Sequence, residues 1–351
     1  MNFLRATELY EEWLAARIRL IPKDLDLKHQ RMRRDPFEFL RSTFYRWAQI
    51  WRDVCGDAVK GPAVLSVGDL HVENFGTWRD AEGRLVWGIN DFDEAFPLPY
   101  TADLIRLATS ARFAPLACSP KDGCAAILEG YTDAVKAGGR PFILAERHDE
   151  LREMASARLH QPVNFWDKLV DLPPEDRVPS SARKALARSM PDKDLETTVV
   201  HRVAGLGSLG RERFTALARW AGGRIAREAK TLAPSAGVFA SGRDDRHNYH
   251  QDLLDRALRC PDPFVRIEKR WVVRRLAPDC SRIELGALPK ERHELLLLRA
   301  MGWETANVHL GTARPRALKV ALEKRKRGWL NRAAQEMERA VLADFKDYST
   351  R

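Results

Sequence analysis

Five polar side chains lie just beyond two short apolar segments of the chain. They are Asp69, His71, Asn74, Asp91 and Asp93. The apolar segments, 63–67 and 85–89, are typical of strands, and the turn signals at 79–83 predict a hairpin. We therefore expect facing strand ends that crowd these polar groups at the edge of a core.

Carboxylates crowded in this way favour a bound cation. They raise each other's pKa unless a positive charge neutralises them. Mg²⁺ in proteins is usually held by one or two carboxylates together with substrate phosphates, which suits one aspartate and one amide of this set. A remaining aspartate near the metal would orient or deprotonate an attacking hydroxyl. The pattern therefore predicts phosphoryl transfer.

The two segments resemble motifs of the protein-kinase-like superfamily. Residues 68–74, GDLHVEN, are similar to the catalytic loop of its aminoglycoside and choline phosphotransferase branch, where a metal-binding asparagine follows the base aspartate by five residues. Residues 89–93, INDFD, resemble the segment that carries the metal-binding aspartate. The resemblance implies Asp69 as the base and Asn74 and Asp91 as metal ligands.

A longer pattern resembles a bacterial family, domain of unknown function 2252, which is grouped with the kinase-like fold. The strings GDLHVENFG, NDFDEA and DLIRLATS carry this resemblance, and PFEFLR precedes them. In our interpretation of the motifs, Asp93 is a second metal ligand or a structural carboxylate. His71 is a candidate catalytic residue, although bracing of the loop by hydrogen bonding fits His71 better.

A glycine-rich segment follows much later in the chain. Residues 205–210, GLGSLG, match G-x-G-x-x-G, and the residues after them show both helical and alternating spacing. A dinucleotide-binding fold would continue into a helix, whereas a kinase-like lobe would turn between two strands and cover the phosphates. We prefer the second, since residues 1–60 show no strand pattern that would supply a nucleotide lobe. The candidate phosphate-binding residues are Gly205, Gly207, Ser208 and Gly210.

This interpretation needs a phosphate-binding cation after the glycine loop. The candidates are Arg227 and Lys230, and we favour Lys230 because lysine is a compact point charge that suits phosphate. The loop follows Asp69 by 136 residues (205 − 69), whereas in kinases it comes first. We therefore predict an α+β, protein-kinase-like two-lobe fold with permuted lobe order.

The predicted domains follow from these motifs. A mostly helical catalytic lobe would span 1–195, a β-rich nucleotide lobe 196–285, and C-terminal helices at 286–351 would pack on the catalytic lobe. The stretch 161–194 is rich in proline, serine and charge, which predicts a linker or mobile surface segment.

Several local expectations concern single segments. We expect a basic connector at 28–34, then a helix that Asp35 caps and that runs through Trp51. Two prolines predict irregular structure at 96–100, and Asp103 and Arg106 would pair across one helical turn. His309, in a helical stretch, is expected to pack between the lobes.

Composition narrows the class of protein. With 351 residues, 44% hydrophobic and 31% charged, the chain is globular rather than disordered. Its net charge of +10 suits nucleotide phosphates, and the scattered lysines and arginines argue against nucleic acid. Five cysteines without a C-x-x-C pair argue against a disulfide framework or a zinc site. With no apolar leader and no run of about 18 apolar residues, we expect a cytoplasmic protein without membrane segments.

The sequence thus predicts a phosphotransferase that uses ATP and Mg²⁺ or Mn²⁺ on an acceptor that it does not identify. Two alternatives remain open. A metal-dependent phosphohydrolase would use water as the nucleophile and would need no residues from 205–230. A catalytically silent nucleotide-binding regulatory protein would bind nucleotide without transfer. The sequence gives no indication of oligomeric state.

Overall fold

The computed structural model describes residues 1–156, 162–280 and 291–350. Four helices begin the chain: α1 (Phe3–Ala15), α2 (Pro22–Met32), α3 (Pro36–Ser42) and α4 (Phe44–Cys55). The sequence predicted a basic connector at 28–34, but α2 continues to Met32, so most of that stretch is helical. Its basic residues are therefore held by a helix rather than by a loop.

The predicted second helix is present but divided. Asp35 caps α3 as expected, since its carboxylate accepts hydrogen bonds from two backbone N–H groups of the first turn, at 2.9 and 3.0 Å. The helix was predicted to run through Trp51, but it is broken at Thr43, whose φ of −124° lies outside the helical range. Trp47 and Trp51 nevertheless stack in the core with ring centroids 5.2 Å apart.

Residues 63–156 form two small sheets and three helices. The elements are β1 (Ala63–Ser66), β2 (Phe75–Arg79), β3 (Leu85–Ile89), β4 (Phe96–Pro99), α5 (Thr101–Phe113), α6 (Pro120–Ala137), β5 (Phe142–Ile143) and α7 (Asp149–Ser156). The predicted hairpin is confirmed as β2 and β3, which belong to a sheet of order β2-β3-β5. The expectation for 96–100 is wrong, because β4 pairs with β1. Prolines are tolerated there because an edge strand leaves N–H positions without a ladder partner.

An antiparallel sheet of five strands follows, in the order β6-β7-β8-β10-β9. Its elements and the helices before it are α8 (Pro162–Val170), α9 (Ser180–Ser189), β6 (Thr198–His201), β7 (Arg213–Trp220), β8 (Gly223–Thr231), β9 (Arg266–Glu268) and β10 (Trp271–Leu276). The linker prediction for 161–194 is wrong over its described part, since α9 buries Ala182, Ala185 and Leu186 against this sheet. The hairpin of β7 and β8 turns at Ala221 and Gly222, both with positive φ.

The remaining helices return to the first core. They are α10 (Ala236–Ser241), α11 (Tyr249–Arg256), α12 (Glu291–Leu310), α13 (Pro315–Glu323) and α14 (Trp329–Ser349). The largest hydrophobic core combines side chains from 3–155, 233–257 and 295–348, and the five-stranded sheet has a core of its own with α9.

The architecture is therefore mixed α+β. The predicted domain boundary at 195 and 196 stays a prediction, and the boundary at 285 and 286 lies outside the described residues. Among the described helices, none is both long and apolar enough to cross a bilayer.

Candidate active site

A cavity of about 710 Å³ brings the two predicted motif regions together. Its lining includes Asp69, His71, Asn74, Asp91, Asp93, Gly205, Gly207, Ser208 and Lys230. Two of the predicted residues, Gly210 and Arg227, do not line it. The volume lies in the range of small-ligand sites. Segments more than 130 residues apart in sequence (205 − 69 = 136) thus share one cleft.

The buried carboxylate of Asp103 holds the loop that carries Asp69. Asp103 on α5 accepts hydrogen bonds from the N–H groups of Val67 and Gly68 at 2.7 and 2.9 Å. It also contacts Nε2 of His309 at 2.9 Å, so this histidine has a structural role, as the sequence suggested. The prediction that Asp103 pairs with Arg106 is wrong. Each of the two side chains instead contacts residues from distant segments of the chain.

Arg106 instead pairs with Asp69. The fully buried guanidinium donates to Oδ1 of Asp69 at 2.6 Å and to the Leu40 carbonyl at 2.7 Å. Burial raises the pKa of Asp69, while Arg106 and Arg41 oppose that rise. The short contact with Arg106 uses Oδ1 of Asp69 and leaves its other oxygen, Oδ2, outside it. A buried aspartate with a raised pKa and such an oxygen is suited to receiving or orienting a proton.

Asn74 connects the two motif segments. Its Nδ2 donates to the backbone carbonyls of Asp69 and Asp91 at 3.2 and 3.1 Å. Because carbonyl oxygens only accept, these contacts fix the orientation of the amide. Its Oδ1 is buried and has no hydrogen-bond partner among the described residues. A buried acceptor left unpaired costs about 1–3 kcal/mol, so this oxygen, in the lining of the cavity, is a candidate ligand atom.

Asp91 supplies a charged oxygen next to that amide. Burial alone would raise the pKa of Asp91, but Lys230 and then Arg274 hold it well below its usual range. Its side chain is 38% exposed, and Oδ2 lies 3.2 Å from Nζ of Lys230. The orphaned Oδ1 of Asn74 and the ionised Asp91 are the oxygen ligands that Mg²⁺ or Mn²⁺ would use. The described residues include no cluster of three or more His, Cys, Asp or Glu placed to hold a metal, so substrate and water would complete the ligand set.

Asp93 pairs more closely with cations of the protein than Asp91 does. Its Oδ2 lies 2.6 Å from Nζ of Lys230 and 3.2 Å from Arg211, and the side chain is only 7% exposed. These contacts favour the structural role over that of a second metal ligand. Its Oδ1 faces Nδ1 of His250 at 3.7 Å and receives no hydrogen bond from any residue that the structure describes.

The glycine loop lies against the catalytic loop. A methyl group added to Gly207 would lie 3.2 Å from Oδ2 of Asp69. The chain continues from Gly210 into β7 rather than into a helix, which disagrees with a dinucleotide-binding continuation. The residue that precedes α2 anchors the loop, since the N–H of Ile21 donates to the Gly210 carbonyl at 2.8 Å. Ser208 is directed to the sheet, where its Oγ accepts from Arg213 at 2.8 Å.

The two candidate cations point in different directions. Lys230 on β8 lies in the cleft, as its contacts with the aspartates show. Arg227 instead donates to the Ser189 carbonyl at 2.9 Å and stacks 4.7 Å from the centroid of the Phe264 ring. The difference arises because positions three apart on a strand face opposite sides of the sheet.

His71 braces its own loop. Its Nδ1 accepts a hydrogen bond from the N–H of Glu73 at 3.2 Å, and Glu73 pairs with Arg41 at 2.7 Å. Two further cleft residues were missed by sequence reasoning, Lys28 and Arg211. Arg211 directly follows the glycine loop, and that position was the available signal. Lys28 gave no signal, because it lies in a generally basic stretch.

Comparison with known proteins agrees with part of this picture. Residues 19–161 match the model of a family described as "Uncharacterized protein conserved in bacteria (DUF2252)". No curated protein and no solved structure gives a significant match. The matched segment contains both aspartate motifs and ends before the glycine loop. The sequence resemblance to this bacterial family is thus confirmed for residues 19–161.

Proposed function

We propose that this protein is an ATP- and Mg²⁺-dependent phosphotransferase with a permuted, protein-kinase-like two-lobe fold. The observation that carries the proposal is the buried, unpaired Oδ1 of Asn74 beside the ionised Asp91. A hard divalent cation bound to triphosphate satisfies both groups. Mn²⁺ would satisfy the same oxygens.

Residues on the opposite wall of the cleft favour the binding of a nucleotide. Lys230 brings a buried ammonium to the same carboxylates, and the glycine loop lies beside Asp69. Once metal and phosphates enter, Lys230 can exchange part of its carboxylate contact for phosphate oxygens. An apolar stretch of the lining, Ile267, Val272 and Leu276, suits a nucleobase.

Asp69 serves the acceptor in this proposal. It orients the acceptor hydroxyl and takes its proton, the hydroxyl oxygen bonds to the γ-phosphorus, and the bridging oxygen leaves with ADP. Arg106 holds Asp69 in place through the 2.6 Å contact. The bound metal would neutralise charge on the phosphates.

The contacts of Lys230 and Gly207 favour transfer over simple hydrolysis. A phosphohydrolase has no need of residues 205–230, yet both Lys230 and Gly207 approach the aspartates from that region. The silent nucleotide-binding alternative requires that the cation not reach the phosphates. The position of Lys230 in the cleft argues against that requirement.

A thermal-melting panel with two variants tests the proposal. A ligand that binds only the folded state adds about 2.7 kcal/mol of stability at 100 times its dissociation constant. Millimolar Mg-ATP should therefore raise the wild-type melting temperature, and Asp91→Ala should remove most of the rise. Asp26→Ala, at an exposed position on α2, is the matched control and should keep it. Wild-type melting that ignores Mg-ATP would overturn the proposal.

The second variant separates binding from chemistry. Asp69→Asn should keep the Mg-ATP shift, because Asp69 serves the acceptor rather than the metal. Release of the γ-phosphate to an acceptor or to water should slow by about 10²–10⁴, the usual contribution of a general base. Loss of the thermal shift together with activity would instead make Asp69 a metal ligand.

A further inference from the structure

A second lysine is buried in the cleft with very little compensation. Lys28 on α2 is only 5% exposed and lines the cavity. Its Nζ donates to the Gly207 carbonyl at a long 3.5 Å. Within the described residues no carboxylate forms an ion pair with it, whereas Lys230 pairs with two.

This arrangement is costly unless something binds. Taking an ammonium out of water is expensive, and one long contact to a carbonyl does not replace its hydration. Burial accordingly lowers the pKa of Lys28 to about 8, against the opposing effect of Glu11. The group is still largely protonated at neutral pH, so the cleft holds a cation that no described carboxylate pairs with directly.

Lys28 lies where the glycine loop meets the catalytic aspartate. It donates to the Gly207 carbonyl, and a Cβ atom added to Gly207 would lie 3.2 Å from Oδ2 of Asp69. Lys230, in contrast, contacts Asp91 and Asp93. The two lysines therefore serve different parts of the cleft, one beside the metal ligands and one beside the base.

We infer that Lys28 binds the terminal phosphoryl group of the nucleotide, the group that passes to the acceptor at Asp69. The inference rests on the proposed function and adds a residue from the N-terminal helices to it. Negative charge on the transferred group is spread over its three equatorial oxygens during transfer, and a fixed cation beside them stabilises that state. The other lysine is left for the metal-bound part of the phosphate chain.

Comparison of ATP with ADP tests this role, because only ATP carries the terminal group. Lys28→Met keeps an unbranched side chain of similar length and removes the charge. Wild type should bind Mg-ATP more tightly than Mg-ADP, and the variant should lose about tenfold or more in ATP affinity while ADP affinity stays the same. Release of the γ-phosphate should fall as well. Lys23→Met, exposed on the same helix, is the matched control and should behave as wild type.

Stability of the unliganded protein provides an independent check on folding. Replacing a poorly compensated buried charge with an apolar group should leave the melting temperature of Lys28→Met unchanged or raise it. A structural lysine would give the opposite result.

Each other outcome has a distinct meaning. Equal affinities for ATP and ADP in wild type and Lys28→Met, with unchanged phosphate release, would overturn the role of Lys28 and leave the proposed function standing. An equal loss for both nucleotides would also overturn it, since Lys28 would then act on groups that ATP and ADP share. Failure of the wild type to bind either nucleotide would overturn the proposed function and this inference with it.

Discussion

Two buried polar clusters on facing walls of the cleft differ in how completely they are paired. On the sheet, the fully buried carboxylate of Glu228 contacts three arginines at 2.7–2.9 Å, namely Arg202, Arg213 and Arg274. Burial would raise the pKa of Glu228, but these arginines, Arg213 foremost, hold it well below its usual range. On the side of the aspartate motifs, Oδ1 of Asn74 has no partner and Lys28 has one long contact within the part of the chain that the structure describes.

The difference separates a cluster that is paired within the protein from one that has buried groups free to meet a ligand. Glu228 satisfies both of its oxygens within the protein, so nothing in its surroundings requires a bound group. The cluster around Asn74 and Lys28 leaves an amide oxygen without a partner and an ammonium without an ion pair among the described residues. Unpaired buried groups that line a cavity are thus a better guide to the site than the number of charges, since both clusters are highly charged.

Glu228→Gln tests the structural side of this comparison and should have the largest effect on stability. The substitution leaves three arginines around a neutral amide, and breaking a buried ion pair by removing one partner typically costs about 3–5 kcal/mol. Urea unfolding should show a loss of this size. Glu196→Gln, exposed just before β6, should change stability by less than about 0.5 kcal/mol. A loss below about 1 kcal/mol for Glu228→Gln would contradict the assignment of a structural role.

Local patterns in the sequence were sufficient for much of the fold. The Gly-Gly dipeptide signalled a hairpin where β7 and β8 turn, although the spacing of the residues before it also fitted a helix. The cap at Asp35 was predictable because Asp-Pro is a helix start. The aspartate motifs also identified their own positions near strand ends. These features depend on interactions between residues close in sequence.

Features that depend on distant partners were not predictable. Asp103 and Arg106 are three apart on a helix, but their partners come from other segments, His309 for one and Asp69 for the other. The period of a strand shows that Arg227 and Lys230 face opposite sides of the sheet, and only the packing of α9 decides which side is the cleft.

The helix α9 and the strand β4 were missed for similar reasons. The proline, serine and charged residues around α9 suggested a loop, yet alanines at its buried positions pack closely on the sheet. The two prolines of β4 suggested irregular structure, but β1 supplies its pairing from 30 residues earlier. In both cases a tertiary partner overrides the local composition.

Glu304 is intermediate between the two clusters, because it is a buried carboxyl group with only partial pairing. It should make the stability of the protein depend on pH. Glu304 lies behind β3, where Oε2 accepts from Asn307 at 2.8 Å and Oε1 accepts weakly from the N–H of Ile89 at 3.4 Å. Burial raises the pKa of Glu304 to about 7, against the opposing charge of Arg259. The folded state therefore binds this proton more strongly than the unfolded state does.

The sign of the effect follows from linkage. The contribution of Glu304 to stability is complete below its unfolded pKa of 4.5 and is lost as the pH rises through about 7, by about 3 kcal/mol in total. Glu304→Gln should lack this decline, so the stability difference between variant and wild type should shift in the variant's favour between pH 5 and 8. Glu323→Gln, exposed on α13, should keep the wild-type slope. Parallel curves for wild type and Glu304→Gln would show that the proton is not held more strongly in the folded state.

The smallest expected effect concerns the contact between the glycine loop and the catalytic loop. A methyl group on Gly207 would lie 2.9 Å from the Arg41 carbonyl and 3.2 Å from Oδ2 of Asp69, so one of these groups must move. Gly207→Ala should therefore cost about 1–3 kcal/mol, the usual range for overpacking. Gly223→Ala is the matched control at the tip of the neighbouring hairpin, where the nearest atom would be 3.9 Å away.

Nucleotide binding makes the same pair of variants informative about the cleft. If the loop covers phosphates beside Asp69, displacing it should reduce the melting shift caused by Mg-ATP in Gly207→Ala and leave the shift intact in Gly223→Ala. A loop that merely packs on α3 would lose stability in the unliganded protein and keep the nucleotide shift. Comparing the loss of stability with the loss of the Mg-ATP shift therefore decides whether the loop belongs with the incompletely paired cluster or with the fully paired one. Only a loop that touches the ligand changes nucleotide binding when the loop is displaced.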